Sequence, residues 1–445
     1  MTDKLLLTYY GDDLTGSTDV MESLSLHGVP TVLFLKPPTD AQRAQFADCR
    51  VVGLAGTSRS ESPQWMEQHL PQAFGWLKRL GADICHYKVC STFDSAPAVG
   101  SIGKALDIGH GLFEQDVTPV VVGAPQLKRY TAFGHLFAAA RGSVHRIDRH
   151  PVMSRHPVTP MDESDLCLHL GKQTDKTIAL ADMVSLRRDD VDARVDQLLD
   201  GGAEVLLYDV PDLDVQRQVG RQLWRTRRPG GQFMVGSSGI EYALIQAWKD
   251  SGLIPGKAEY PNPGAVDRIA VVSGSCSEVT AGQIAWAERN GFVAIALDAR
   301  EIADPIENPR AKQAAVDQGC EVLRQGKSVV LYTARGPESN LVAPEECSEA
   351  FRHRIGASLG EILKRLTELE SLRRVVVAGG DTSSHALQQL GIYALTTRLP
   401  LAETPGSPLC TAHSENAAFD GLEVALKGGQ VGTEAYFGNI RDGIA

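Results

Sequence analysis

Residues 4–24 read KLLLTYYGDDLTGSTDVMESL. An apolar and aromatic run reaches Gly11, two aspartates follow, and Thr15 and Gly16 open a segment with the spacing of an amphipathic helix. A strand that passes through a short turn directly into a helix is the building unit of a parallel sheet. The adjacent carboxylates of Asp12 and Asp13 repel each other, so their placement at a strand end requires an explanation.

The same alternation continues along the chain. Candidate strands occupy 4–10, 31–35, 51–55, 83–88, 119–124, 177–181, 204–210 and 232–236 in the first half. A second series follows at 268–274, 292–298, 328–333, 374–380 and 392–397. Helical patterns fit between them, for example over 278–290, 310–325 and 349–369. Runs this continuously apolar predict parallel sheets buried on both faces, hence an α/β fold. The stretch IPGKAEYPNPGAVDR (254–268), rich in Pro and Gly, separates the two series. We therefore expect two domains, 1–255 and 256–445, each built on a mostly parallel sheet flanked by helices. The segment HRIDRHPVMSRHPVTPMDESD (145–165) interrupts the first series and reads as a long functional loop or hinge.

At 445 residues the chain is long for one core, and its 43% apolar and 6% aromatic content is that of an ordinary globular enzyme. No apolar run has transmembrane length, and the N-terminus lacks the charged, apolar and small-residue regions of a secretory leader. A cytoplasmic protein without membrane contact is expected. The net charge of −11, mixed along the chain, lacks the basic footprint of a nucleic-acid binder. The eight cysteines form no CxxC pair and are expected to be reduced thiols.

In open α/β sheets, ligands sit beyond the carboxyl ends of the strands. After the first strand, one helix cap needs one Asp or Thr, whereas Asp12, Asp13, Thr15 and Thr18 crowd this turn. The surplus favours a functional pair able to grip sugar hydroxyls, align a nucleophile or hold Mg²⁺. Arg59, after the third strand, offers a planar fork for a carboxylate or phosphate, although a lone loop arginine is more often solvated. After the fourth strand, Lys88 precedes a run of hydroxyls including Thr92, then Asp94 and a Gly100–Gly103 helix start. That set suits a small anionic polyol.

Three small-residue turns mark the second half. They are Ser273–Ser277 with Thr280 behind it, Gly379-Gly380-Asp381-Thr382, and Lys427–Gly432 with Gly428, Gly429 and Gly432. Such strand-to-helix turns let backbone N–H groups approach phosphate. Gly326-Lys327-Ser328 imitates a Walker motif but precedes a strand, and no strand is followed by GxGxxG. His145, His150 and His156 lack regular ligand spacing, so their loop is expected to be mobile or to face substrate. No metal ligand is assigned.

The ordered motifs GDDLTGSTD, KVCSTFDS with GSIG, SGSCS, AGGDTS, PGSPL and KGGQVG resemble the four-carbon acid-sugar kinase family over nearly the whole chain. The resemblance implies an ATP-dependent kinase, with Mg²⁺, acting on a hydroxyl of a tetronate or 3-oxo-tetronate. It places Asp12, Asp13, Arg59, Lys88 and Asp94 at the acid sugar. Ser275, Ser277, Gly379, Gly380, Asp381, Thr382, Gly428, Gly429 and Gly432 fall at ATP. One of Asp12 and Asp13 is expected to orient the attacking hydroxyl, Arg59 and Lys88 to neutralise the substrate carboxylate, and Asp381 to act as base or indirect metal ligand. Tyr10-Gly11 stands where members often carry Ala, and the 145–165 segment differs in length. These departures flank the substrate and leave it open to a branched oxo-acid such as a 3-oxo-isoapionate-like compound. A non-catalytic sugar-acid sensor and a dinucleotide oxidoreductase are the rival readings, and a homodimer is the default assembly.

Overall fold

The computed structural model describes residues 4–156, 158–336, 349–401 and 404–444, with only the backbone at Glu349 and Asp381. It contains two compact units, Met1–Ala258 and Glu259–Ala445.

The first unit carries an all-parallel sheet in the order Thr31–Phe34, Val51–Ala55, Leu7–Gly11, Ile84–Lys88, Gln232–Gly236, Thr118–Val121, Val205–Tyr208, Ile178–Ala181. Its central strands are buried along their whole length, as continuous apolar runs require. The strands at 7–11, 51–55 and 84–88 are in register, with Gly11 opposite both Ala55 and Lys88. Their carboxyl ends therefore open onto one place.

A small antiparallel meander, Arg129–Ala132, His135–Ala140 and Ser143–Arg146, lies outside that sheet and was not expected. Its two-residue turns are Phe133-Gly134 and Arg141-Gly142, all four at positive φ (52°, 77°, 49° and 78°). This is the hairpin geometry that Asn-Gly or Asp-Gly usually signals. The 145–165 segment is consequently no simple loop. It holds the meander's last residues, the short turns Ile147–Arg149 and Met153–Arg155, and Asp165, which caps the helix Leu166–Gly171. Ile147 and Met161 anchor it in the core.

The second unit orders its described strands as Phe292–Ala296, Ser328–Tyr332, Ala270–Ser273, Arg374–Ala378, Glu423–Lys427, Leu409–Ser414, Ile392–Leu399. The first five are mutually parallel, Leu409–Ser414 pairs antiparallel with Glu423–Lys427, and Ile392–Leu399 pairs antiparallel with Leu409–Ser414. The strands at 409–414 and 423–427 were not expected. A core of Val271, Ile284, Phe292, Val330, Val376, Tyr436 and Phe437 fills one face. Helices Glu278–Arg289, Asn308–Arg324 and Glu349–Glu370 fall within a few residues of the expected spans. Arg374, fully buried, donates from Nη1 to the carbonyls of Gly264, Ile440 and Arg441 and from Nε to Glu423. It ties the start of this unit to its last helix, Tyr436–Asp442.

The seven described cysteines are free thiols, and Cys347 lies outside the described residues. No described helix is long and apolar enough to cross a membrane.

Candidate functional site

Asp13 is the N-cap of the helix Leu14–Leu26, accepting from the Gly16 N–H at 2.5 Å. Its other oxygen takes the Arg59 Nη1 hydrogen bond at 2.7 Å, and Arg59 Nη2 reaches both oxygens of Asp94 at 3.1 and 2.9 Å. Arg59 sits in a short turn, Ser58–Ser60, whose backbone is fastened to Asp12 by Arg59 N–H to Asp12 C=O at 3.2 Å. Gly100 supports this turn from below. At φ +59°, a Cβ there would lie 2.3 Å from the Arg59 carbonyl oxygen, so glycine alone fits.

Asp12 is built differently. It is 4% exposed, and its Oδ1 has no hydrogen-bond partner. Burial and the neighbouring Asp13 charge push its carboxyl up to about 8, against the pull of Arg59 and Lys88. Burial acts on Asp13 in the same sense, but Arg59, Lys88 and the Gly16 N–H outweigh it and hold this carboxyl below its ordinary range. The awkward pair is thus resolved by asymmetry: one member is a cap and ion-pair partner, the other a buried carboxyl poised near neutrality.

Lys88, 2% exposed, reaches Asp19 Oδ2 at 3.6 Å from the strand end. Burial lowers its pKa, yet Asp19, Asp12 and other neighbouring charges raise it overall, so it remains an ammonium. A Cβ on Gly16 would meet Asp13 Oδ1 at 2.7 Å, Lys88 Nζ at 3.0 Å and Asp12 Oδ1 at 3.8 Å, which shows how tightly these groups converge. Thr92 donates to Asp94 Oδ1. All six first-half residues singled out from sequence therefore lie in one cluster. Two further groups join it from the 145–165 segment, whose histidines suggest a mobile or substrate-facing loop but in which sequence reasoning did not single out Thr159. Thr159 Oγ1 donates to Asp94 Oδ2 at 3.2 Å, and the Thr159 N–H donates to His156 Nδ1 at 3.1 Å. The 145–165 segment thus faces this site. Asp19 was visible only as the last residue of GDDLTGSTD.

The second unit has its own convergence. Three adjacent strand ends, after Ser273, Ala378 and Lys427, bring the three glycine turns together. Gly379 N–H donates to the Lys427 carbonyl at 2.8 Å, and Gly274 N–H to that of Ala378 at 3.1 Å. Ser277 caps the helix at 278–289 through Thr280 N–H at 3.0 Å, and its hydroxyl also donates to Gly429 C=O. Ser275 Oγ accepts from Thr280 Oγ1 at 3.0 Å. A Cβ on Gly429 would stand 3.0 Å from Ser275 Oγ, and one on Gly379 2.9 Å from Thr382 Oγ1. Gly432, at φ +95°, packs against Gln283. Gly380 has open space on its Cβ side. The backbone of Asp381 lies in the helix Gly380–Gln389, but its side chain is outside the described residues. Sequence reasoning passed over Lys427 itself, which is fully buried here with its Nζ 3.0 Å from Thr280 Oγ1.

Comparison with known proteins follows the same division. A family model for a sugar-binding N-terminal domain matches residues 7–244, and one for a nucleotide-binding C-terminal domain matches 270–437. The chain is 46% identical to a 3-oxo-isoapionate kinase of Paraburkholderia graminis, over 99% of this chain and 94% of that protein. It is 30% identical to a 3-oxo-tetronate kinase of Methylobacterium radiotolerans, over 99% of this chain and all of that one (100%). The crystal structure of Haemophilus influenzae protein HI1011 shares the fold, with a TM-score of 0.71, 22% identity, and coverage of 98% of this chain and 99% of that one. Two domain matches spanning most of the sequence, with relatives aligned along nearly all of it, establish that the chain belongs to the four-carbon acid-sugar kinase family.

Proposed function

We propose that this acid-sugar kinase transfers the γ-phosphoryl group of ATP to a hydroxyl of a small 3-oxo acid sugar, with a branched 3-oxo-isoapionate-type acid as the preferred substrate. The observation that carries the reaction is the divided Asp12–Asp13 pair beside Arg59, Lys88 and Asp94. The 46% identity to the Paraburkholderia enzyme supports the branched acid over the tetronate series.

In this reading the first unit binds the sugar. Asp12 Oδ1, buried without a partner, accepts the hydrogen bond of the reacting hydroxyl. As that oxygen bonds to the γ-phosphorus, its proton passes to Asp12, and the bond from phosphorus to the β,γ-bridging oxygen breaks to release ADP. Lys88 neutralises the substrate carboxylate. Arg59 braces Asp13 and Asp94, which with Thr92 hold the remaining hydroxyls.

The second unit binds ATP, its phosphates on the turns at Ser275–Ser277, Gly379–Thr382 and Gly428–Gly432. Their small residues and N–H groups fit phosphate oxygens. Gly379→Ala tests this placement, since φ is +122° and the added carbon approaches Thr382. Nucleotide affinity measured calorimetrically should fall by about tenfold, from roughly 1–2 kcal/mol of strain, while acid-sugar affinity stays unchanged.

Mg²⁺ supplies charge neutralisation on the transferring phosphates. Among the described residues no group of three or more His, Cys, Asp or Glu could hold a metal ion. In kinases Mg²⁺ is ordinarily held by substrate phosphates and water with one or two carboxylates, and Asp381 would be the candidate to supply one.

The deciding experiment measures ADP release with ATP and Mg²⁺ against D- and L-threonate, D- and L-erythronate, their 3-oxo derivatives and 3-oxo-isoapionate. Turnover on the branched oxo-acid at a kcat/KM at least tenfold above the others, abolished by EDTA, is the expected result. Preference for a linear 3-oxo-tetronate would overturn the substrate assignment. Binding of an acid without ADP release would return the chain to a sensor.

A further inference from the structure

Lys427 is the last residue of its strand, and its side chain is fully buried. Its Nζ donates to Thr280 Oγ1 at 3.0 Å and to the carbonyls of Gly428 and Gly429 at 2.7 and 3.2 Å. These acceptors are neutral, and no described carboxylate forms an ion pair with it. Buried ammonium groups are ordinarily paired. The contrast with Lys88 is direct: both lysines end a buried strand, but Lys88 is ringed by aspartates.

The surroundings supply the missing partner's position. Thr280, which accepts from Lys427, also bonds Ser275 and Ser277, and Ser277 bonds the Gly429 carbonyl. The lysine therefore lies against the turns that form the phosphate cradle. Burial pushes its pKa down to about 7, so much of the population is neutral at physiological pH. Charged groups on the neighbouring elements do not offset this. Glu278 and Glu434 are exposed, and Arg374 pairs with Glu423 at the far end of the same strands. The Asp381 side chain lies outside the described residues.

We propose that Lys427 is a phosphate-contacting residue of the nucleotide site, its ammonium taking an ATP phosphate as counter-ion so that nucleotide binding draws one proton from solvent. This rests on the reading that the second unit binds ATP. The lysine is held by the Thr280 hydroxyl and two carbonyls while the site is empty, and the phosphate replaces neutral acceptors with a charge.

The test is calorimetric titration of the full chain with Mg²⁺ and a non-hydrolysable ATP analogue, at pH 8 and pH 6, in buffers of different ionisation enthalpy. Uptake of nearly one proton per nucleotide at pH 8, falling towards zero at pH 6, is expected. Lys427→Met should lose the uptake and at least tenfold in affinity. Lys427→Arg, always charged, should bind nucleotide with no uptake at either pH, and it guards against a Met variant that fails to fold. Tight binding without proton uptake in the unaltered protein would overturn the proposal while leaving the nucleotide site standing. Uptake that persists in both variants would do the same. No nucleotide binding at all, with the acid sugar still bound, would remove the nucleotide reading and this role together.

Discussion

Asp12→Asn should lower kcat by about 10²–10⁴-fold while leaving the affinity for both substrates within a few-fold of the unaltered protein. A general base works best when its pKa lies near the operating pH, and Asp12 is pushed up to about 8 by burial and by the Asp13 charge. The amide keeps the shape and a hydrogen bond to the substrate hydroxyl but cannot take its proton. The same substitution makes a stability prediction with a definite sign. A carboxyl raised in the folded state stabilises fully below its ordinary value of 3.8, and that contribution is lost as pH rises through about 8. The melting temperature of Asp12→Asn should therefore gain on that of the unaltered protein between about pH 4 and 8 and level off above. Asp13→Asn should behave oppositely, because its carboxyl is depressed and contributes stability above the ordinary range. That variant should melt lower at pH 7. Full turnover in Asp12→Asn, or a variant whose melting temperature falls relative to the unaltered protein as pH rises, would remove Asp12 from the role of base.

How far the sequence carries these conclusions differs from element to element. Parallel strands buried on both faces announce themselves as unbroken apolar runs, so VVGLA, QFMVG and RVVVA were legible. The meander at 129–146 was not, because its strands are half-buried and its hairpin turns are Phe-Gly and Arg-Gly. The strand LCTAHS lacks a long apolar run for the same reason: only some of its residues face a core. For the candidate site, reading strand ends picked out Asp12, Asp13, Arg59, Lys88, Thr92 and Asp94, which the register of their strands brings into one cluster. It did not divide labour within the aspartate pair. That division depends on the Arg59 guanidinium bonding the carboxylates of Asp13 and Asp94, whereas only its backbone N–H meets Asp12, at the carbonyl. Lys427 escaped notice because a lysine before glycines reads as solvated, and only its burial beneath Thr280 reveals otherwise.

Arg59→Met should destabilise the first unit by about 3–5 kcal/mol at pH 7, read from its urea transition, and abolish acid-sugar turnover. The side chain of Asp94 is completely buried, and Arg59 supplies its two guanidinium contacts as well as the one to Asp13. Removing Arg59 leaves the buried Asp94 carboxylate without its guanidinium partner, which costs more than the intact pairing contributes, while Asp13, partly exposed and near Lys88, loses less. Asp13 gives the pH dependence. Its stabilisation through Arg59 is present above the ordinary carboxylate range and is lost as pH falls through its depressed value. The gap between Arg59→Met and the unaltered protein should consequently narrow below about pH 4. Arg59→Lys restores one charge but not the planar fork, and an ammonium cannot bridge two carboxylates with the same geometry. It should recover part of the stability yet remain at least about a hundredfold down in kcat/KM, because a displaced Asp94 no longer aligns the substrate. Nucleotide affinity should be unchanged in both variants. An Arg59→Met protein as stable as its parent at pH 7 would show that the carboxylates find water or another cation, and Arg59 would then be a surface brace with no hold on the site.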